Sequence, residues 1–244
     1  MATLVLLRHG RTTANAAGGL AGRQPVELDE TGQEQARAVG ARLAGLPWAQ
    51  VVSSPLVRCR QTLALTVPEA TPAIDDGLIE CGYGEWEGQS LRSLVKQPLW
   101  RVVQEHPSAA VFPGGEALAA VAARAVAAVR HWNGVVDAER GPDALWLACT
   151  HGDVIKAIVA DALGLHLDLF QRIVADPASL TVIRYTATRP FLVRLNDTGG
   201  DLAGLVPAKQ RRPRRRGGSA DSDSDSDAAV GGGAGAGAGG RDRQ

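Results

Sequence analysis

The chain has 244 residues, 45% of them apolar, which suffices for one domain with a buried core plus an extension. Basic and acidic side chains number 26 each, but the zero balance conceals a basic block (Lys209, Arg211, Arg212, Arg214, Arg215, Arg216) and an acidic one (Asp221, Asp223, Asp225, Asp227), without which the chain is mildly acidic. Three isolated cysteines, Cys59, Cys81 and Cys149, argue against a disulfide framework or a Cys-rich zinc site and fit a reducing cytoplasm; with no leader-like or long apolar run, neither a signal peptide nor a membrane span is expected.

Taken in chain order, residues 3–7 form an apolar run of the kind found in buried strands, and it leads directly into Arg8-His9-Gly10. A helix is expected to open at Thr31, where Thr31 and Glu34 spell a capping box, and to continue through the stripe Ala38, Leu43 and Leu46. Residues 48–52 are a weaker strand. Ser54-Pro55 then offers an N-cap followed by proline at the first helical position, placing Arg58 about one turn into a second helix. Residues 88–115 read as a cover segment, with Trp86 and Trp100 as its packing. Residues 115–132 form an Ala-rich helix with one apolar face. Residues 144–149 repeat the pattern of a buried strand running into His151-Gly152, and a helix follows over 153–163. Residues 180–185 and 191–195 are further strands.

Alternating strands and helices define an α/β class with a largely parallel sheet. After Pro207 the chain passes through an Arg-rich run, an Asp-Ser repeat and a Gly-Ala tract. That composition cannot bury enough apolar surface to offset its ordering entropy. The expected organisation is a domain over 1–207 and a disordered tail over 208–244. The basic run lacks interleaved aromatics, so it reads as a solvated tail rather than a nucleic-acid surface.

Transfer of a phosphoryl group to an enzyme nucleophile requires an attacking atom, fixed positive charge around the equatorial oxygens and an acid for the leaving alkoxide. His9 and His151 both follow strand ends, where ligands bind in open α/β sheets. Arg8 and Arg58 carry guanidinium forks that match phosphate oxygens. Gly10 and Gly152 permit close backbone approach, and helix N-termini would add N–H groups.

The segments Arg8-His9-Gly10-Arg11-Thr12-Thr13-Ala14-Asn15, Ser53-Ser54-Pro55-Leu56-Val57-Arg58, Glu80 with Gly84-Glu85-Trp86-Glu87-Gly88, and Thr150-His151-Gly152 resemble, in order, the motifs of the histidine phosphatase (phosphoglycerate mutase-like) superfamily. The resemblance implies a three-layer α/β/α sandwich and a phosphatase acting on a small phosphorylated metabolite. It implies His9 as the phosphorylated nucleophile, Arg8, Arg58 and His151 as phosphate ligands, and Glu80 as proton donor, with Glu85 and Glu87 close by as alternatives. Asn15 and Gly22 match positions lining the phosphate pocket, and Tyr83 matches a substrate-contacting tyrosine. No metal or other cofactor is implied.

Arg11 and Asp153 depart from the mutase pattern, which usually carries Glu or Gln and Asn there. No clear counterpart of the mutases' cations for a second acidic group is present, unless Arg92, Lys96 or Arg101 points inward. Phosphatase is therefore expected over mutase, with a catalytically weak phospho-ligand module as a third reading, because an inward-facing Asp153 would repel phosphate. His106, His131 and His166 are expected on the surface.

Overall fold

The computed structural model describes residues 2–200; the expected tail and the domain limit at 207 lie outside them. In chain order the elements are β1 (Thr3–Arg8), α1 (Thr13–Ala16), α2 (Glu30–Leu43), β2 (Trp48–Ser53), α3 (Val57–Thr66), β3 (Ala73–Ile74), α4 (Leu91–Leu94), α5 (Pro98–Glu105), α6 (Leu118–Arg140), β4 (Leu145–Thr150), α7 (Gly152–Ala162), β5 (Leu180–Tyr185) and β6 (Pro190–Asp197). Among the described residues the strands make one sheet in the order β3-β2-β4-β1-β5-β6. The β3-β2, β2-β4 and β4-β1 pairs are parallel, while β5 and β6 are added antiparallel.

Alternation along the strands divides the core between two faces. Leu4, Leu6, Trp146, Ala148 and Ile183 face one side, where they pack with Val121, Ala125 and Val129 of α6 and Val154, Ile155 and Ile158 of α7. Val5, Leu7, Leu147, Cys149 and Leu180 face the other, against Val39 and Leu43 of α2 and Cys59 and Leu63 of α3. The result is the expected three-layer α/β/α sandwich with a mostly parallel sheet. No helix among the described residues is long and apolar enough to cross a membrane.

Local details correct the expectations from sequence. The cap of α2 is Asp29, whose carboxylate accepts from the Gly32 amide at 2.7 Å; Thr31 lies inside the helix and its hydroxyl accepts from Arg11 instead. The buried stripe of that helix is Ala36, Val39 and Leu43, with Ala38 and Leu46 exposed. α3 is capped by the backbone of Leu56 rather than by Ser54, and Arg58 is its second residue. The Ala-rich helix begins three residues later than expected and continues to Arg140. β3 was not expected: it is two residues long, too short to carry a periodic signal.

The loop after β1 rests on the N-terminus of α2. A Cβ on Gly10 would meet the Gly32 carbonyl oxygen at 2.5 Å, and one on Gly32 would collide with the Arg11 carbonyl. Close backbone contact here holds the His9 segment against a helix. Gly32→Ala is therefore expected to lower stability by about 1–3 kcal/mol despite alanine's higher helix propensity. Gly134→Ala in α6, where an added Cβ meets nothing within 4 Å, is expected to raise it by about 0.5–1 kcal/mol. Urea denaturation of the two variants checks the pair.

Candidate active site

The parallel register of β1 and β4 sets Arg8 opposite Thr150, and the His9 amide donates to the Thr150 carbonyl at 3.0 Å. His9 and His151 consequently leave the sheet together, with ring centroids 5.2 Å apart in an edge-on arrangement. His9 Nδ1 lies 2.8 Å from the Gly10 carbonyl oxygen. A carbonyl only accepts, so Nδ1 carries the proton and Nε2 is left with its lone pair. Arg58 Nε donates to that Nε2 at 3.2 Å. Burial, followed by the positive charges of Arg58 and Arg8, pushes the His9 pKa well below its ordinary value, against the opposing Gly10 bond. The ring is neutral at neutral pH.

Arg58 is held on all three nitrogens, because Nη1 and Nη2 donate to the carbonyls of Gln24 (3.1 Å) and Gly22 (2.6 Å). Gly22 adopts φ +53°, a conformation suited to glycine, and a Cβ there would strike the Glu87 carboxylate. Arg8 is buried and donates from Nη1 to the Ala175 carbonyl at 2.6 Å. Thr62 completes this side: its hydroxyl accepts from the Gly10 amide at 3.0 Å and donates to the Arg58 carbonyl at 2.7 Å. Sequence reasoning missed Thr62, although it stands one helical turn after Arg58.

His151 is the N-cap residue of α7, and its Nε2 lies 2.7 Å from the Ser54 hydroxyl. Ser54, expected to cap a helix, thus orients a histidine. Burial first, then Arg58, His9 and Arg8, lowers the His151 pKa well below the ordinary value. Gly152 begins α7, whose first amides have no intrahelical acceptor.

Glu80 is 4% exposed and accepts from the Cys81 amide at 2.9 Å. Burial and then the Asp153 charge push its pKa up to about 7, against the Cys81 amide and the two arginines. Glu85 is exposed, and Glu87 accepts from the backbone amides of Arg23 and Tyr83. Of the three carboxylates only Glu80 combines burial with an electrostatic coupling to Arg8 and Arg58.

Other expected residues have different settings. Asn15 is the third residue of α1 and completes a capping box with the N-cap Thr12, its Oδ1 accepting from the Thr12 amide and hydroxyl. Tyr83 is fully buried edge-on to Phe112, and its hydroxyl donates to Asp153 Oδ2 at 2.7 Å. Asp153 also pairs with Lys156 at 3.5 Å. Arg11 donates to Asp29 (2.7 Å) and Thr31 (2.8 Å). Arg92, Lys96 and Arg101 are exposed on the cover segment, Arg101 paired with Glu105. His106, His131 and His166 are exposed, and the Cys81 thiol is buried with its pKa pushed up. Among the described residues no group of three or more His, Cys, Asp or Glu could hold a metal ion.

A neutral histidine with a directed lone pair, two buried guanidiniums and a buried carboxyl with its pKa pushed up to about 7 are thus set in one electrostatically coupled group. The profile of the histidine phosphatase superfamily (branch 1) matches residues 4–198, and the chain belongs to that family. It is similar to phosphoserine phosphatase 1 of Hydrogenobacter thermophilus, 30% identical over 81% of this chain and 93% of the relative. It is also similar to a 2,3-bisphosphoglycerate-dependent phosphoglycerate mutase of Gloeobacter violaceus, 33% identical over 66% and 75% of the two chains. Among solved structures, the vanadate-complexed mycobacterial glucosyl-3-phosphoglycerate phosphatase superposes with a TM-score of 0.71 at 28% identity, covering 80% of this chain and 98% of that one.

Glu80 makes stability depend on pH. Its folded pKa of about 7 lies above the ordinary 4.5, so the unfolded chain releases this proton first. Its stabilising contribution is complete below pH 4.5 and is lost as pH rises through about 7. Relative to Glu80→Gln, the wild type is expected to lose on the order of 3 kcal/mol across that window. Urea titrations of both proteins at several pH values measure the change.

Proposed function

We propose that the chain is a phosphomonoester hydrolase that works through a phosphohistidine at His9 on a small phosphorylated metabolite in the cytoplasm. The observation that carries the reading is the Nδ1 bond from His9 to the Gly10 carbonyl, which leaves Nε2 as an unprotonated nucleophile beside Arg58. In the first step Nε2 attacks phosphorus and the ester P–O bond breaks. The proton of Glu80 passes to the leaving alkoxide, releasing an alcohol. In the second step water attacks the phosphohistidine, its proton goes to Glu80, and inorganic phosphate departs with His9 restored. Arg8, Arg58 and His151 stabilise the transferring group, with Gly22, Asn15 and Gly152 shaping the backbone around it and Tyr83 supporting the pocket from within the core.

Hydrolysis is favoured over mutase chemistry by the exposed positions of Arg92, Lys96 and Arg101, which leave a second acidic group without those cations. The free, buried cysteines suit a reducing compartment. Similarity to phosphoserine and glucosyl-3-phosphoglycerate phosphatases makes small phosphate monoesters the first substrates to assay.

His9→Ala is expected to abolish both the acid-labile phosphoenzyme and turnover of an aryl phosphate; full activity in that variant would overturn the mechanism. Glu80→Gln should slow alkyl phosphates by about 10²–10⁴-fold and p-nitrophenyl phosphate far less, since a good leaving group needs little protonation. For alkyl substrates kcat/KM should fall as pH rises through about 7, where Glu80 ionises. On the acidic side it should hold until well below the ordinary histidine range, where His9 takes up a proton. Incubation with a monophosphoglycerate separates the two enzyme classes, through free phosphate or the isomeric phosphoglycerate.

A further inference from the structure

Glu80 sits on a stretch with no ladder or long helix to locate it. A single 3-10 turn, Asp76–Leu78, precedes it, and residues 79–83 belong to no regular element. Irregular backbone of this kind is placed by whatever satisfies its polar groups. Here the satisfying groups come from two distant parts of the chain. Arg124, on α6, donates from Nη1 to the carbonyls of Gly77 (3.0 Å) and Ile79 (2.6 Å) and from Nη2 to that of Glu80 (3.1 Å). Arg23 donates from Nε to the same Glu80 carbonyl at 3.2 Å. Glu116 joins the two guanidiniums, contacting Arg124 through both oxygens at 3.1 Å and Arg23 at 2.7 Å, and it accepts from the Gly82 amide at 2.9 Å.

We propose that Arg124, Glu116 and Arg23 form a positioning clamp that fixes the backbone of Glu80 relative to the phosphate-binding arginine Arg58. The link to Arg58 runs through the loop that carries Arg23. The residues on either side of it, Gly22 and Gln24, are the carbonyl partners of Arg58. One short loop is therefore tied on one side to the proposed phosphate ligand and on the other to the main chain of the proposed acid. Ordinary half-exposed ion pairs contribute little to stability. Two guanidiniums converging on the carbonyl of the acid itself constrain geometry, and small displacements of an acid reduce proton transfer more than binding.

This inference rests on Glu80 being the acid, so Glu80→Gln is measured alongside. The experiment compares kcat and KM for an alkyl phosphate and for p-nitrophenyl phosphate, normalised to active sites by the phosphoenzyme burst. Arg124→Gln is expected to lower kcat for the alkyl phosphate by about tenfold or more with KM little changed, and to leave the aryl substrate within about threefold. Arg124→Ala should regain activity on the alkyl phosphate when methylguanidinium is added. Arg130→Ala, on the same helix as Arg124, removes an exposed ion pair to Asp161 of α7 and should change neither substrate. If Arg124→Gln does not fold, Glu116→Gln, which releases both arginines, is expected to show the same selectivity. Equal slowing of both substrates in the clamp variants, with selectivity in Glu80→Gln, overturns the clamp while the acid stands. Absence of selectivity in Glu80→Gln removes the acid assignment and the clamp with it.

Discussion

The in-register parallel pairing of β1 and β4 carries the site. It ends with Arg8 opposite Thr150, and the next amide, that of His9, still bonds across to the Thr150 carbonyl. The two histidines therefore emerge at one level from neighbouring strands, with their rings 5.2 Å apart. A slip of one residue would turn the apolar faces of β1 toward the wrong helices and separate the histidines at the same time. Core packing and site geometry are thus fixed by the same hydrogen bonds.

What β1 and β4 bring together is costly to bury. Arg8, Arg58 and Glu80 are each under 5% exposed, and unpaired charges removed from water are strongly unfavourable. Arg58 donates to the carbonyls of Gly22 and Gln24, while Arg8 donates to that of Ala175 and is also favoured by the nearby charges of Glu80, Asp176 and Asp153. Neutral carbonyls orient the Arg58 guanidinium without cancelling its charge, and that positive field reaches both histidines. That field and burial act together on the histidines and against one another on Glu80.

Much of this was legible in sequence because strands that end in charged or histidine residues leave a mark. Residues 3–7 and 144–149 are apolar runs bounded by polar residues, and each delivers a histidine followed by glycine. Arg58 and Glu80 were legible through the motif order rather than through local pattern. What was hidden depended on tertiary partners. Ser54 looked like a helix cap, but its hydroxyl is used by His151, 97 residues away, and the backbone of Leu56 starts the helix instead. Thr31 looked like a cap, yet Asp29 reaches the Gly32 amide first. Tyr83 matches a substrate-contacting position in the motif, and only the folded chain shows its hydroxyl bonded to Asp153. Helix caps and buried hydroxyls have several chemically equivalent solutions, and only the folded chain selects one.

Arg11 and Asp153, the two departures that favoured a mere binding module, take on different meaning once their partners are known. Arg11 is engaged with Asp29 and Thr31 in securing the loop after β1 to α2, so it adds rigidity near His9. Asp153 lies in the first turn of α7, where the helix terminus favours negative charge, and it is further supported by Tyr83 and Lys156. Its charge raises the pKa of Glu80. A carboxylate facing a bound phosphate would oppose binding, whereas a carboxyl that keeps its proton does not and can give that proton to the leaving oxygen. An anion-binding module needs only that the carboxyl be uncharged; a phosphomonoesterase with an alkoxide leaving group also needs its proton. Asp153 therefore weighs on the side of catalysis.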